Sequence, residues 1–166
     1  MPEKKKSIRT KSVSLAEMEP VIREVLASGG RFRITVTGTS MIPTLRGGRD
    51  QVELTLPDRP YRKYDLPLYK RNSGQFVLHR VISVAKDGSL SCCGDNQWTR
   101  EPGLQQSQML GLVVRICRNG REFPVENRLY RFWVRFWVLV FPCRRLLLRT
   151  YHGMVLLRNK IRGKTN

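Results

Sequence analysis

A serine, a histidine and two acids carry the chemistry this sequence can offer. Ser40 stands in Val36-Thr37-Gly38-Thr39-Ser40-Met41-Ile42-Pro43-Thr44-Leu45, where a β-type run halts at a glycine and presents one hydroxyl just ahead of a proline turn. A serine hydroxyl is almost wholly un-ionised near neutral pH, so it becomes a nucleophile only with a general base within hydrogen-bond reach. Of the two histidines, His79 lies in the strand-like run Gln75-Phe76-Val77-Leu78-His79-Arg80-Val81-Ile82, whereas His152 lies far from it and reads as a surface residue. Each residue alone has a plain structural explanation, Ser40 as a turn hydroxyl and His79 as a half-buried strand histidine. The order of motifs is more informative. After the serine turn come a glycine turn with an acid, Arg46-Gly47-Gly48-Arg49-Asp50-Gln51-Val52, then His79-Arg80-Val81-Ile82, and then Gly94-Asp95-Asn96.

That order, over about residues 31 to 117, resembles the catalytic domain of the signal peptidase I family, within the group that includes the LexA-like self-cleaving repressors. Gly38-x-Ser40-Met41-x-Pro43-Thr44-Leu45 is its most specific part. Most bacterial members use a lysine base, while the endoplasmic-reticulum and archaeal type carries a histidine before Arg-Val, as in His79-Arg80-Val81. The resemblance implies a Ser40/His79 pair acting on an extended peptide, with no metal or organic cofactor. It also implies an acid that supports the histidine. Glu101 ranks slightly ahead of Asp95 for that role; either would fix the imidazole tautomer and stabilise the imidazolium. Many members carry an oxyanion-binding serine two positions before the nucleophile, where this chain has Gly38. The remaining oxyanion donors are the Ser40 backbone N–H and the Thr39 hydroxyl, and loss of one such donor costs about 10²–10³ in rate.

These side chains must be held by a mainly β domain with helices at both ends. Arg31 to Val36 alternates as a half-exposed strand that feeds the serine turn. Met41 either borders the substrate or fills a gap. Strands are expected over Gln51 to Leu56, Leu66 to Tyr69, Gln75 to Ile82, Ser89 to Cys93, Met109 to Cys117 and Arg121 to Val125. Asn72-Ser73-Gly74, Asp87-Gly88 and Asn119-Gly120 supply the turns, and Gly94 to Gly103 a loop. Pro67 points to an edge strand or a bulge, and an edge there would let a peptide pair with it. Before this domain, residues 1–30 hold a basic tail and an amphipathic helix that Gly29-Gly30 stops. Ser14 with Glu17 suggests a capping box, but Pro20 places the helix start near Glu19, with Ser14 to Met18 as a separate turn. After it, residues 127–166 read as basic amphipathic helices. Leu129, Phe132, Trp133, Phe136, Trp137 and Val140 form one apolar face beside Arg128, Arg131 and Arg135; Pro142 breaks the helix, and a second follows over Leu146 to Met154.

Composition narrows the partners. A net charge of +18 predicts attraction to something anionic. The C-terminal arginines interrupt the roughly 20-residue apolar run that a membrane span needs, and the N-terminal helix is too short and polar for one. The C-terminal aromatics either enter the interface of an anionic membrane while arginines meet headgroups, or cover a face of the sheet. Cys92, Cys93, Cys117 and Cys143 have no metal-ligand spacing, so reduced thiols are expected, in a cytoplasmic protein or one peripheral at the inner face of the membrane. The main rival reading is an inactive peptidase scaffold that binds peptides or docks at membranes. A nucleic-acid binder is disfavoured, since no helix-turn-helix or zinc-finger pattern occurs. A self-cleaving repressor is less favoured still, since no DNA-binding domain precedes the serine motif.

Overall fold

The structure is a computed structural model and describes residues 14–144. The basic tail, His152 and the second C-terminal helix expected over Leu146 to Met154 lie outside the described residues. The chain forms α1 (Leu15–Ala27), β1 (Phe32–Thr35), β2 (Gln51–Thr55), β3 (Pro67–Lys70), β4 (Phe76–Leu78), β5 (Arg80–Val84), β6 (Leu90–Cys93), β7 (Glu101–Leu104), a 3₁₀ turn at Gln106–Gln108, β8 (Met109–Arg118), β9 (Arg121–Pro124) and α2 (Arg128–Leu139). Residues 141–144 are again helical.

A six-stranded antiparallel sheet has the order β1-β2-β8-β3-β4, with β9 added to β8. The long strand β8 is its spine, pairing with β2, β3 and β9. Strands β5, β6 and β7 form a second sheet. The main core packs α1 against the first sheet through Ile22, Leu26, Leu54 and Leu110. A second core, including Tyr69, Val81, Cys92 and Met109, joins the two sheets.

Four expectations need correction. The run Gln75 to Ile82 is not one strand. β4 pairs with β3, β5 pairs with β6, and His79 is the single residue at which the chain leaves one sheet for the other. β3 is not an edge: it lies between β8 and β4, with Pro67 as its first residue and the register irregularity falling at Leu68/Tyr69. The path of the sheet ends at β1 and β4, and β9, paired with β8 alone, is a third open edge. The expected loop of Gly94 to Gly103 ends in β7, so Glu101 is a strand residue opposite Cys92. Finally, α1 begins at Leu15, with the Ser14/Glu17 capping box in place and Pro20 inside the helix. A proline in a helix interior costs about 3 kcal/mol. Here it lies on the exposed side, where solvent reaches the carbonyl it leaves unpaired, while Ile22 and Leu26 are fully buried on the other.

No helix among the described residues is long and apolar enough to cross a membrane. The four cysteines are free thiols, two of them buried.

Candidate functional site

The serine turn is pinned from both sides by groups that the sequence placed near it. On one side the buried Asp50 carboxylate accepts from the Arg46 backbone N–H, Arg49 and Arg118. Burial raises its pKa, but these donors outweigh that and hold it below the usual carboxylate range. Gly48 N–H donates to Val36 O and Val36 N–H to Asp50 O, closing the loop. Gly38 has φ +72°, a left-handed conformation that disfavours a side chain.

On the other side the Gly94-Asp95-Asn96 turn acts as a clamp. Asn96 N–H donates to Ser40 O at 2.7 Å, and Asn96 Nδ2 donates to Thr39 O at 3.2 Å. The approach is so close that a Cβ at Gly94 would stand 2.6 Å from Ser40 O. Ser40 is half-buried. Its backbone N–H has no acceptor and its hydroxyl no partner among the described residues. Met41, just beyond, is buried in the main core, where it fills space, and also borders the cleft described below.

His79 is 4 % exposed. Its Nδ1 lies 3.4 Å from the Tyr69 hydroxyl, and that hydroxyl donates its one proton to Glu101 Oε1. Tyr69 can therefore only accept from His79, which requires Nδ1 to carry the proton and leaves the Nε2 lone pair free. Glu101 is gripped by Arg71, with Nε–Oε2 at 2.6 Å. Burial pushes the Glu101 pKa up, but the bonds from Arg71 and Tyr69 bring it below the usual range, so it stays ionised. Burial is also the main influence on His79, lowering its pKa to about 4 against an upward pull from Glu101. The imidazole is neutral near pH 7.

Neither acid proposed from sequence bonds His79 directly. Glu101 reaches it through Tyr69, while the Asp95 carboxylate is fully engaged by Arg80 at 2.7 and 2.9 Å. Tyr69 and Arg71 had no role assigned from sequence, and Arg80 and Asn96 stood in the histidine and Gly-Asp-Asn motifs without one. Arg80 alone carried a signal, because a charged side chain in an apolar strand must find a buried partner.

Ser40 and His79 face one cleft of about 350 Å³, whose other walls are Ile34 to Thr39 on the β1 side and Gln75 to Leu78 on the β4 side. No hydrogen bond joins the two residues. A second depression of about 560 Å³, lined by Trp98, Arg100 and Glu101, shares Arg71, His79 and Gln97 with the first. No cluster among the described residues has the acids, histidines or cysteines to hold a metal ion.

α2 braces the clamp. Trp133 and Trp137 turn inward, donating from their indole N–H groups to Thr44 Oγ1 and Asp95 O. The fully buried Arg144 donates to Gly94 O and Trp137 O and stacks on the Trp137 and Phe141 rings. The apolar residues of the helix thus divide, the tryptophans meeting the domain and Leu129, Phe132, Phe136 and Leu139 remaining exposed.

No family model, curated protein or solved structure matches the chain.

Proposed function

We propose that the chain is a serine endopeptidase of the signal-peptidase type that cleaves an extended peptide or leader segment. The observation that carries this reading is the position of two of the sheet's edges, β1 and β4. β1 and β4 both border one cleft, β1 leads into the Ser40 turn, and β4 ends one residue before His79. An extended peptide laid in that cleft pairs with an edge strand through its backbone and brings a carbonyl to Ser40.

The chemistry then follows from the residues present. Ser40 Oγ adds to the carbonyl carbon while His79 Nε2 takes its proton. The oxyanion meets the free Ser40 N–H, with the Thr39 hydroxyl as a second donor. Glu101, acting through Tyr69, stabilises the imidazolium, which gives its proton to the leaving amine as the C–N bond breaks. Water, deprotonated by the same nitrogen, releases the acyl group and restores Ser40. Ser40 and His79 are not hydrogen-bonded to each other, and bonds of this kind often tighten only when substrate is bound.

A second reading, a peptide-binding module without catalysis, is favoured by one observation: burial makes His79 a weak base. Incubating the protein and its Ser40→Ala and His79→Ala variants with a peptide library, and reading products by mass spectrometry, separates the two. Cleavage abolished in both variants supports the peptidase; peptide capture by folded wild type without cleavage supports the binding module.

A further inference from the structure

We propose that the outer face of α2 is a docking surface for an anionic lipid bilayer, a property that does not depend on the peptidase reading. The helix has three sectors. Trp133, Val134, Trp137 and Val138 pack on the domain. Arg128, Arg131 and Arg135 form an exposed row along one border of that face. The remaining sector, next to the arginines, is apolar and open to solvent: Leu129 is 81 %, Phe132 72 %, Phe136 46 % and Leu139 77 % exposed. An apolar strip beside a cationic row is the arrangement of a helix that lies in the headgroup plane, side chains in the acyl boundary and arginines on phosphate.

Charge selects the occupant. Every charged residue after Glu126 is Lys or Arg, so the chain's own C-terminal segment would bring like charge to the arginine row. A second copy of this +18 chain would do the same. A nucleic acid would satisfy the arginines but leave the Leu and Phe strip in water. An anionic bilayer satisfies both sectors at once. Beside the helix, a groove of about 450 Å³ sets Arg62 and Lys63 next to Arg131 and Arg135, adding two cations for a headgroup phosphate. None of the four is paired with an acid among the described residues; of the acids in the groove, Asp65 is occupied by Arg59, and Glu126 remains.

The test is co-sedimentation of the full chain with vesicles of phosphatidylcholine alone and of equal parts phosphatidylcholine and phosphatidylglycerol. Two double variants are compared with wild type, Leu129→Ser with Phe132→Ser and Arg131→Glu with Arg135→Glu, all of them exposed positions whose exchange leaves the thermal midpoint near that of wild type. Binding to the anionic vesicles alone, weakened about tenfold or more by either pair, is the expected result. In the single variant Phe132→Trp, the fluorescence of the new indole shifts to the blue only with the anionic vesicles. Equal binding to both vesicle types, or anionic binding untouched by the serine pair, overturns the proposal. So does a wild-type dimer that the serine pair makes monomeric, or DNA binding without vesicle binding.

Discussion

Arg80 and Asp95 form an ion pair almost wholly removed from solvent, each side chain 1 % exposed, with Nη2–Oδ2 at 2.7 Å. Arg80 follows the candidate base directly, and Asp95 is the middle residue of the turn that clamps Ser40. The pair thus ties the strand that follows His79 to the turn that holds Ser40. Breaking a buried pair on one side strands a charge and costs about 3–5 kcal/mol. Asp95→Asn and Arg80→Met should each lose that much in urea unfolding. Combining Arg80→Met with Asp95→Leu should recover a large part of the stability but not the catalytic alignment.

Tyr69 is a positioning residue, and its effect can be read without substrate. In wild type, nitrogen NMR of His79 should show the proton on Nδ1. Tyr69→Phe removes the acceptor, so the tautomers mix, and kcat for peptide cleavage should fall about 10²-fold with KM little changed. Glu101→Gln should move both readouts in the same direction. A Tyr69→Phe variant with an unmixed tautomer would show that packing alone orients the ring.

The low pKa of His79 makes folding pH-dependent. The ordinary value is 6.5 and the folded value about 4, so the unfolded chain takes up a proton over a range in which the folded one does not. The contribution is fully present above pH 6.5 and is lost as the pH falls towards 4. The loss amounts to about 3 kcal/mol in total. In His79→Phe the stability curve should be flatter in that window by a comparable amount.

Gly94 tests the clamp itself. A methyl group there would stand 2.6 Å from Ser40 O and 2.9 Å from Gln97 Oε1, so the turn must retreat. Gly94→Ala should reduce cleavage about 10²-fold or more, because a displacement near 1 Å is enough to misplace a nucleophile. Gly38→Ala adds no close contact but forces a side chain into a left-handed backbone, so its cost, about 1–2 kcal/mol, should appear mainly as stability.

Local grammar in the chain was legible. The glycine stop at Gly29-Gly30 and the Asn119-Gly120 hairpin are short-range devices whose physics is complete within a few residues; so is the Ser14/Glu17 capping box, which prevails over the later helix start that Pro20 suggested. Of the serine, histidine and Gly-Asp-Asn motifs, Ser40 and His79 face one cleft, while Asp95 turns away to Arg80. What could not be read was decided by distant partners. His79 sits in an unbroken apolar run, and nothing local says that Leu78 pairs with Leu68 while Arg80 pairs with Cys93. Tyr69 is one buried aromatic among several until tertiary folding sets it against Glu101, 32 residues away. The aromatic face of α2 looked uniform because periodicity finds apolar positions but not which of them meet the domain.

The switch of sheets at His79 fixes the length of the chain at one place and leaves it elastic elsewhere. Side chains alternate sides along a strand, so one residue added between Leu78 and Arg80 would either turn the imidazole away from the cleft or send Arg80 off Asp95. The hairpin tip at Asp87-Gly88 carries no such burden. An affinity tag or a fluorophore-bearing loop belongs there, whereas a single-codon insertion beside His79 should unmake both sheets' register together.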